Sequence, residues 1–121
     1  MTCVGSTRES IIEFLDRLKE EGVENILALR GDITPGNSII DFSHASDLAA
    51  FIKSYDDSFN ISGACYAEGH CDSPSIEADI ENLKKKVDAG VTHLISQLFF
   101  DNNHFYEFMD KVVKVGTRVP I

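Results

Sequence analysis

The run NILAL at residues 25–29 is short and mostly apolar, it does not alternate strictly, and the polar residues Arg30, Gly31 and Asp32 follow it at once. Two further runs share this character, NISGACY at 60–66 and HLISQLF at 93–99. Such runs are typical of strands that are buried on both faces, as in a parallel sheet. Their starts are roughly 33 to 35 residues apart, which is the size of a βα unit.

Four helical patterns lie before, between and after these runs. They begin at Ser6, near Ser43, at Ser73 and at Asp101. Ser6 and Glu9 have the spacing of a capping box, and Pro74 suits the first helical position. The predicted stops of three of these helices are Gly22, Gly90 and Gly116. Strands that alternate with helices predict an α/β fold with a parallel sheet.

The two ends of the sequence indicate further strands. The first residues resemble the end of a strand, and residues 118–121 (RVPI) resemble the start of one. A (β/α)₈ barrel needs about 250 residues. We therefore expect residues 1–121 to be a single partial TIM (β/α)₈ barrel domain, about half of the full barrel and truncated at both ends. Periodicity leaves a smaller doubly wound sheet open as the alternative.

The composition excludes several classes of partner. A formal net charge of −9 argues against nucleic acid or an anionic membrane as the partner. No apolar run approaches the roughly 20 residues of a membrane span, and no signal peptide is recognisable. Three cysteines without CxxC spacing, Cys3, Cys65 and Cys71, predict reduced thiols in a cytoplasmic protein. A metal site built from Cys65, His70 and Cys71 fits no standard zinc pattern.

Polar residues follow each predicted strand, at the edge where parallel α/β folds bind their ligands. Asp32 follows the first strand, Tyr66 and His70 follow the second, and Gln97 lies near the end of the third. Each also has a purely structural interpretation. Asp32 would be a turn carboxylate, Gln97 a solvent-facing side chain, and His70 a surface loop residue.

The third predicted helix carries a polar face. Asp79, Asn82 and Lys86 lie at i, i+3 and i+7 and so share one side of the helix. This face either grips phosphates and ribose hydroxyls, with Lys86 as a point charge, or is simply solvated. The sequence contains no P-loop, no GxGxxG and no Ser/His/Asp arrangement, so no Rossmann-type nicotinamide site is predicted.

Five motifs in one order resemble those of the methylenetetrahydrofolate reductases. They are ILALRGD at 26–32 followed by Pro35 and Gly36, ASDL at 45–48, YAEGH at 66–70, DIENLKKKVDAG at 79–90, and SQLFFD at 96–101. The third is similar to the family's Tyr-Pro-Glu-x-His, and the last to its Thr-Gln-Phe-Phe-Phe-Asp. Thr2 and Cys3 fit the family's His-Leu-Thr-Cys strand end. The resemblance covers essentially the whole chain.

The resemblance implies a flavoprotein of one-carbon folate metabolism, with FAD at the top of the barrel and NADH or NADPH as electron donor. It implies reduction of 5,10-methylenetetrahydrofolate to 5-methyltetrahydrofolate. The residues that it implies for holding FAD are Leu29, Arg30, Gly31, Asp32, His44, Ala45, Tyr66, His70, Asp79, Asn82, Lys85 and Lys86. Gln97 would contact the folate beside Asp32, the implied catalytic carboxylate. A carboxylate suits an iminium form of the substrate, and an amide suits the polar edge of a pterin.

The sequence also departs from the family pattern. His44 stands where the family usually has Tyr, and Lys85 replaces a common Arg and so loses bidentate geometry. Ala67 and Cys71 replace prolines, which should loosen their loop. The family's proton-donating glutamate lies in a Phe-Glu-Phe-Phe-Pro-Pro motif that residues 1–121 lack, so we expect these residues alone to be inactive.

Two alternatives stay open beside a reductase part. One is a non-catalytic, flavin-binding half-barrel that needs a complementary chain, and the other is a different folate or flavin barrel. We expect an oligomer or a complementary chain as partner, because a half-barrel has exposed strand edges and an uncovered inner face. The apolar rows expected to meet water are Ile26, Leu27 and Leu29, and Leu94, Ile95 and Leu98.

Overall fold

A computed structural model describes residues 1–36 and 38–121. Its elements are α1 (Arg8–Glu20), β1 (Asn25–Ala28), α2 (Ala45–Tyr55), β2 (Asn60–Cys65), α3 (Ile76–Asp88), β3 (Val91–Ser96) and α4 (Asn102–Lys114). The predicted alternation of helices and strands is confirmed. Within the described residues, no helix combines the length and the apolar character needed to cross a membrane.

The three strands form one parallel sheet in the order β1-β2-β3. Parallel neighbours need a crossover connection, which α2 and α3 supply. All three carboxyl ends therefore lie at the same edge of the sheet. The order of the described strands does not reverse, as it would at the switch point of a doubly wound sheet. The parallel α/β architecture is confirmed, and closure into an eight-stranded barrel stays a prediction.

Both ends of the chain lie alongside this sheet. Thr2 forms a parallel bridge with Leu29, directly after β1. At the other end, the backbone N–H of Leu94 donates to the carbonyl of Pro120 at 2.9 Å. The first predicted strand-like segment thus pairs with the residue that directly follows β1, and the last one forms a backbone hydrogen bond with β3.

Three elements have predicted boundaries that were wrong. The capping box of α1 uses Thr7 and Ser10, whereas the Ser6 hydroxyl donates to the Thr2 carbonyl. α3 begins two residues after Pro74, because the Ser75 hydroxyl accepts from the N–H of Ala78 at 3.2 Å and so caps the helix there. β3 begins at 91 and ends at 96 instead of spanning 93–99.

The helices cover one face of the sheet. The strand residues buried on that face are Ile26, Ala28, Ile61, Cys65, Val91 and Leu94. They pack with helix residues that include Leu15, Leu48, Ile52, Ile80, Leu83, Phe108 and Val112. The other face is less well covered, and Ile95 is 53% exposed there.

The expectation that two whole apolar rows meet water was therefore wrong in part. Ile26 and Leu94 are buried, Leu27 and Leu29 are half-buried, and Ile95 is exposed. The reason is the two-residue period of a strand, which turns alternate side chains toward the helices. For the same reason the strands are not buried on both faces among the described residues. Leu98 lies after β3 and is 72% exposed.

Candidate functional site

A cavity of about 330 Å³ lies at the carboxyl ends of β1 and β2. Its walls come from those strand ends, from the start of α2 and from one side of α3. It brings together ten residues that the sequence analysis singled out, Leu29, Arg30, His44, Ala45, Tyr66, His70, Asp79, Asn82, Lys85 and Lys86. These residues come from four separate stretches of the chain, and only the fold makes them neighbours.

Three of the predicted site residues do not line this cavity, namely Gly31, Asp32 and Gln97. Gly31 follows Arg30 with φ +84°, and a Cβ at this position would lie 3.1 Å from Thr2 Cβ. Asp32 is exposed in the segment that follows Gly31. Gln97 is exposed, and its backbone N–H donates to the Cys65 carbonyl at 2.8 Å, which ties the end of β3 to β2.

Arg30 stands at the β1 side of the cavity. Its Nη2 atom donates to Asp72 Oδ2 at 2.6 Å, and its Nε–H donates to the Gly31 carbonyl at 3.3 Å. The hydrogen bond to Arg30 lowers the pKa of Asp72, and the same bond raises the pKa of Arg30. Both residues line the cavity. Asp72 was not predicted as a site residue, because no motif indicates which residue a loop carboxylate will face.

The loop between β2 and α3 is held by its own hydrogen bonds. The backbone N–H of His70 donates to Asp79 Oδ2 at 2.6 Å, and the N–H of Asp72 donates to His70 Nδ1 at 3.0 Å. Because Nδ1 accepts this hydrogen bond, a neutral His70 ring carries its proton on Nε2. The ring meets Tyr66 edge-on, with centroids 4.6 Å apart. The loop thus presents His70 and Tyr66 to the cavity in one fixed arrangement.

α3 supplies the cavity's second wall. The predicted stripe of Asp79, Asn82 and Lys86 lines the cavity together. Lys86 is half-buried, and its Nζ atom donates to the Ala64 carbonyl at 2.8 Å. Desolvation lowers the pKa of Lys86. Lys85 is exposed and donates to Asn82 Oδ1 at 3.2 Å.

The start of α2 forms the third wall. His44 is the N-cap residue, and Ala45 begins the helix. Asp47 Oδ2 accepts from the backbone N–H groups of Ser43 and His44, at 3.1 and 2.9 Å. Asp47 thereby satisfies backbone donors at this helix end, and it lines the cavity beside His44.

The charge that the cavity offers to a ligand depends on which of its charged groups already have a partner in the protein. Its cations are Arg30, Lys85 and Lys86, and its carboxylates are Asp47, Asp72 and Asp79. Each carboxylate accepts a hydrogen bond from the protein. Lysine and arginine each carry several donors, and only some of them are used here. The arrangement can therefore receive an anionic, oxygen-rich ligand.

One potential metal group lies beside the cavity. Donor atoms of His70, Cys71 and Asp72 lie within 4.8 Å of one another. Two of these residues are already engaged, since His70 Nδ1 accepts from a backbone N–H and Asp72 pairs with Arg30. Cys65, which the sequence analysis considered with His70 and Cys71, is buried, and burial raises its pKa to about 11. We assign no metal site to these side chains.

Comparison with known proteins links the whole chain to one family. The family described as methylenetetrahydrofolate reductase matches residues 1–121. The chain is 39% identical to 5,10-methylenetetrahydrofolate reductase of Salmonella typhimurium and 40% identical to methylenetetrahydrofolate reductase 1 of Schizosaccharomyces pombe. It is 38% identical to a probable methylenetetrahydrofolate reductase (NADPH) of Caenorhabditis elegans.

These matches cover all of this chain but only part of each relative. The chain spans 40% of the Salmonella protein, 21% of the yeast protein and 19% of the nematode protein. Each of these relatives is therefore longer than the stretch that this chain matches.

Proposed function

This chain belongs to the methylenetetrahydrofolate reductase family, and we propose that it forms the flavin-holding part of an enzyme that reduces 5,10-methylenetetrahydrofolate to 5-methyltetrahydrofolate. The proposed cofactor is FAD, and the proposed electron donor is NADH or NADPH. The observation that carries the proposal is the assembly around one cavity of ten residues that the family resemblance implies for FAD binding.

The residues of the cavity suit the parts of FAD. Arg30, Lys85 and Lys86 offer N–H donors to the pyrophosphate, and Asn82 and Asp79 offer amide and carboxylate groups to ribose hydroxyls. A volume of about 330 Å³ lies in the lower part of the range of small-molecule sites. The cavity is thus large enough for a portion of the dinucleotide, while the remainder would extend along the open rim toward Asp32.

FAD, when bound, supplies the redox chemistry by accepting a hydride from the nicotinamide and passing it to the folate. The protein's task is to bind, orient and polarise. Asp32 follows the flavin-side residues Arg30 and Gly31, and its carboxylate would stabilise the positive charge of an iminium substrate. Gln97 follows β3 at the same edge of the sheet, and its amide would pair with the donors and acceptors of the pterin.

Flavin binding by the full-length protein tests this proposal. We expect the purified protein to be yellow, to release FAD on denaturation, and to oxidise NADH or NADPH when an artificial electron acceptor is present. Addition of methylenetetrahydrofolate should then reoxidise the reduced flavin. A colourless protein that takes up no FAD from an excess would contradict the proposal. Flavin binding without folate reduction would instead favour the non-catalytic alternative.

A further inference from the structure

A continuous chain of hydrogen bonds runs around the cavity from α3 to the end of β1. Asp79 Oδ2 accepts from the backbone N–H of His70, and His70 Nδ1 accepts from the N–H of Asp72. Asp72 Oδ2 then accepts from Arg30 Nη2. The position of the Arg30 side chain is therefore set by a loop that is itself anchored on α3.

The Arg30 guanidinium has N–H groups that can donate to a ligand. A guanidinium has five N–H donors. In the part of the chain that the structure describes, Arg30 donates only to Asp72 and to the Gly31 carbonyl. The remaining N–H groups belong to a side chain that lines the cavity. A planar group held at two points loses little freedom when it binds a third partner.

Asp72 affects Arg30 more than it affects the stability of the fold. Its side chain is 59% exposed, and ion pairs at such positions contribute little to the free energy of unfolding. The hydrogen bond between the two residues lowers the pKa of Asp72 and raises that of Arg30, so it favours the charged form of both groups. Without Arg30, the Asp72 carboxylate would repel a phosphate. Asp72 can therefore favour the binding of an anionic ligand only by holding Arg30 in place.

We propose that Asp72 is a positioning residue that holds the Arg30 guanidinium against the cavity, so that its free N–H groups meet an oxygen of the bound flavin dinucleotide. This inference rests on the proposed function, because it takes FAD as the ligand. It adds a residue that none of the family motifs quoted above contains.

The test is a double-mutant cycle on the full-length protein, with the FAD dissociation constant measured by quenching of flavin fluorescence. Asp72→Asn should raise the dissociation constant by about two- to fivefold, the scale of a partly exposed ion pair. In an Arg30→Ala background, Asp72→Asn should cause no further rise. Asp72→Glu, which keeps the carboxylate, should bind FAD more tightly than Asp72→Asn.

Asp57→Asn is the matched control, because Asp57 is an exposed carboxylate that pairs with Lys53 and lies outside the cavity lining. It should leave the dissociation constant unchanged. An equal rise for Asp72→Asn with and without Arg30 would overturn the positioning role, and so would no rise at all. Tighter binding would mean that Asp72 competes with the ligand for Arg30. A wild-type protein that binds no FAD would contradict the proposed function itself.

Discussion

The Nζ atom of Lys86 donates to the carbonyl oxygen of Ala64 at 2.8 Å, and this bond joins α3 to the carboxyl end of β2. The same amine lies 5.7 Å from the centre of the Tyr66 ring. A half-buried cation needs compensating contacts, since desolvation disfavours its charged form. An anionic group in the adjoining cavity would supply such a contact, which makes Lys86 the most informative cation to remove.

Lys86→Met should weaken FAD binding by the full-length protein on the order of tenfold or more, as expected for loss of a hydrogen bond from a charged group. The methionine side chain keeps most of the buried aliphatic stem. Lys84→Met is the control, because Lys84 is exposed on the same helix and pairs with Asp88 at 2.7 Å. Fluorescence titration with FAD measures both. Equal affinity in the two variants would favour a purely structural role for Lys86.

Asp32→Asn should slow folate reduction far more than it slows flavin reduction by the nicotinamide. Loss of one well-placed electrostatic partner of the transition state costs about 2.7–4 kcal/mol. Stopped-flow absorbance separates the two half-reactions in the full-length enzyme. If folate reduction proceeds at the wild-type rate, Asp32 is only a turn carboxylate.

Gly31→Ala should lower the free energy of unfolding more than Gly36→Ala does. Both glycines have positive φ, +84° and +89°, so both substitutions carry a backbone strain of about 1–3 kcal/mol. At Gly31 the new Cβ would lie 3.1 Å from Thr2 Cβ, whereas at Gly36 it would have no described atom within 4 Å, its chain neighbours aside. Urea denaturation of the full-length variants gives the comparison. Equal losses of unfolding free energy in the two variants would show that the Thr2 side chain moves aside at no energetic cost.

Asp56→Asn should destabilise the protein at neutral pH and lose this effect in acid. A hydrogen bond from Lys19 holds the pKa of Asp56 well below its usual value. A carboxyl with a lowered folded pKa adds stability above its unfolded pKa of about 4, and that stability disappears as the pH falls further. Thermal unfolding across this pH range measures it. The neighbouring Asp57→Asn is the control, and identical pH profiles for the two variants would contradict the role of Lys19.

Residues 1–121 expressed by themselves should self-associate and show no reductase activity. Ile95, Leu98 and Phe100 are 53%, 72% and 88% exposed, and they follow one another along β3 and the segment after it. Exposed apolar surface of this kind favours association. Light scattering coupled to size exclusion measures the assembly state, and Leu98→Lys should reduce it. A monomer with folate turnover would contradict both the expected exposure and the expected inactivity.

Local pattern accounts for much of what could be predicted. The runs beginning near 25 and 60 became β1 and β2, and Asp101 caps α4, because apolar spacing and capping chemistry act over a few residues. The starts of α1, α3 and β3 were wrong by one or two residues. At Ser75 the cause is visible, since the Ser73 hydroxyl donates to the Ser75 carbonyl, whereas the Ser75 hydroxyl accepts from the N–H of Ala78 and so caps the helix.

A site residue was predictable where its type and its spacing from neighbouring residues in the sequence indicate which side of an element it occupies. The helical register of Asp79, Asn82 and Lys86 placed them on one face, and all three line the cavity. Asp72 was not predictable in this way. Its partner Arg30 lies 42 residues earlier, and nothing in the local sequence of either residue indicates the other.

The sequence by itself determined the order of the elements, the family, and the residue types available for an anionic ligand, because these depend on local spacing and on chemical identity. The tertiary structure alone decided which carboxylate faces which cation. It also decided that Ile26 and Leu94 are buried while Ile95 is exposed. The physical reason is that packing of helices on one side of a parallel sheet brings distant residues together, and no short-range rule encodes those distances.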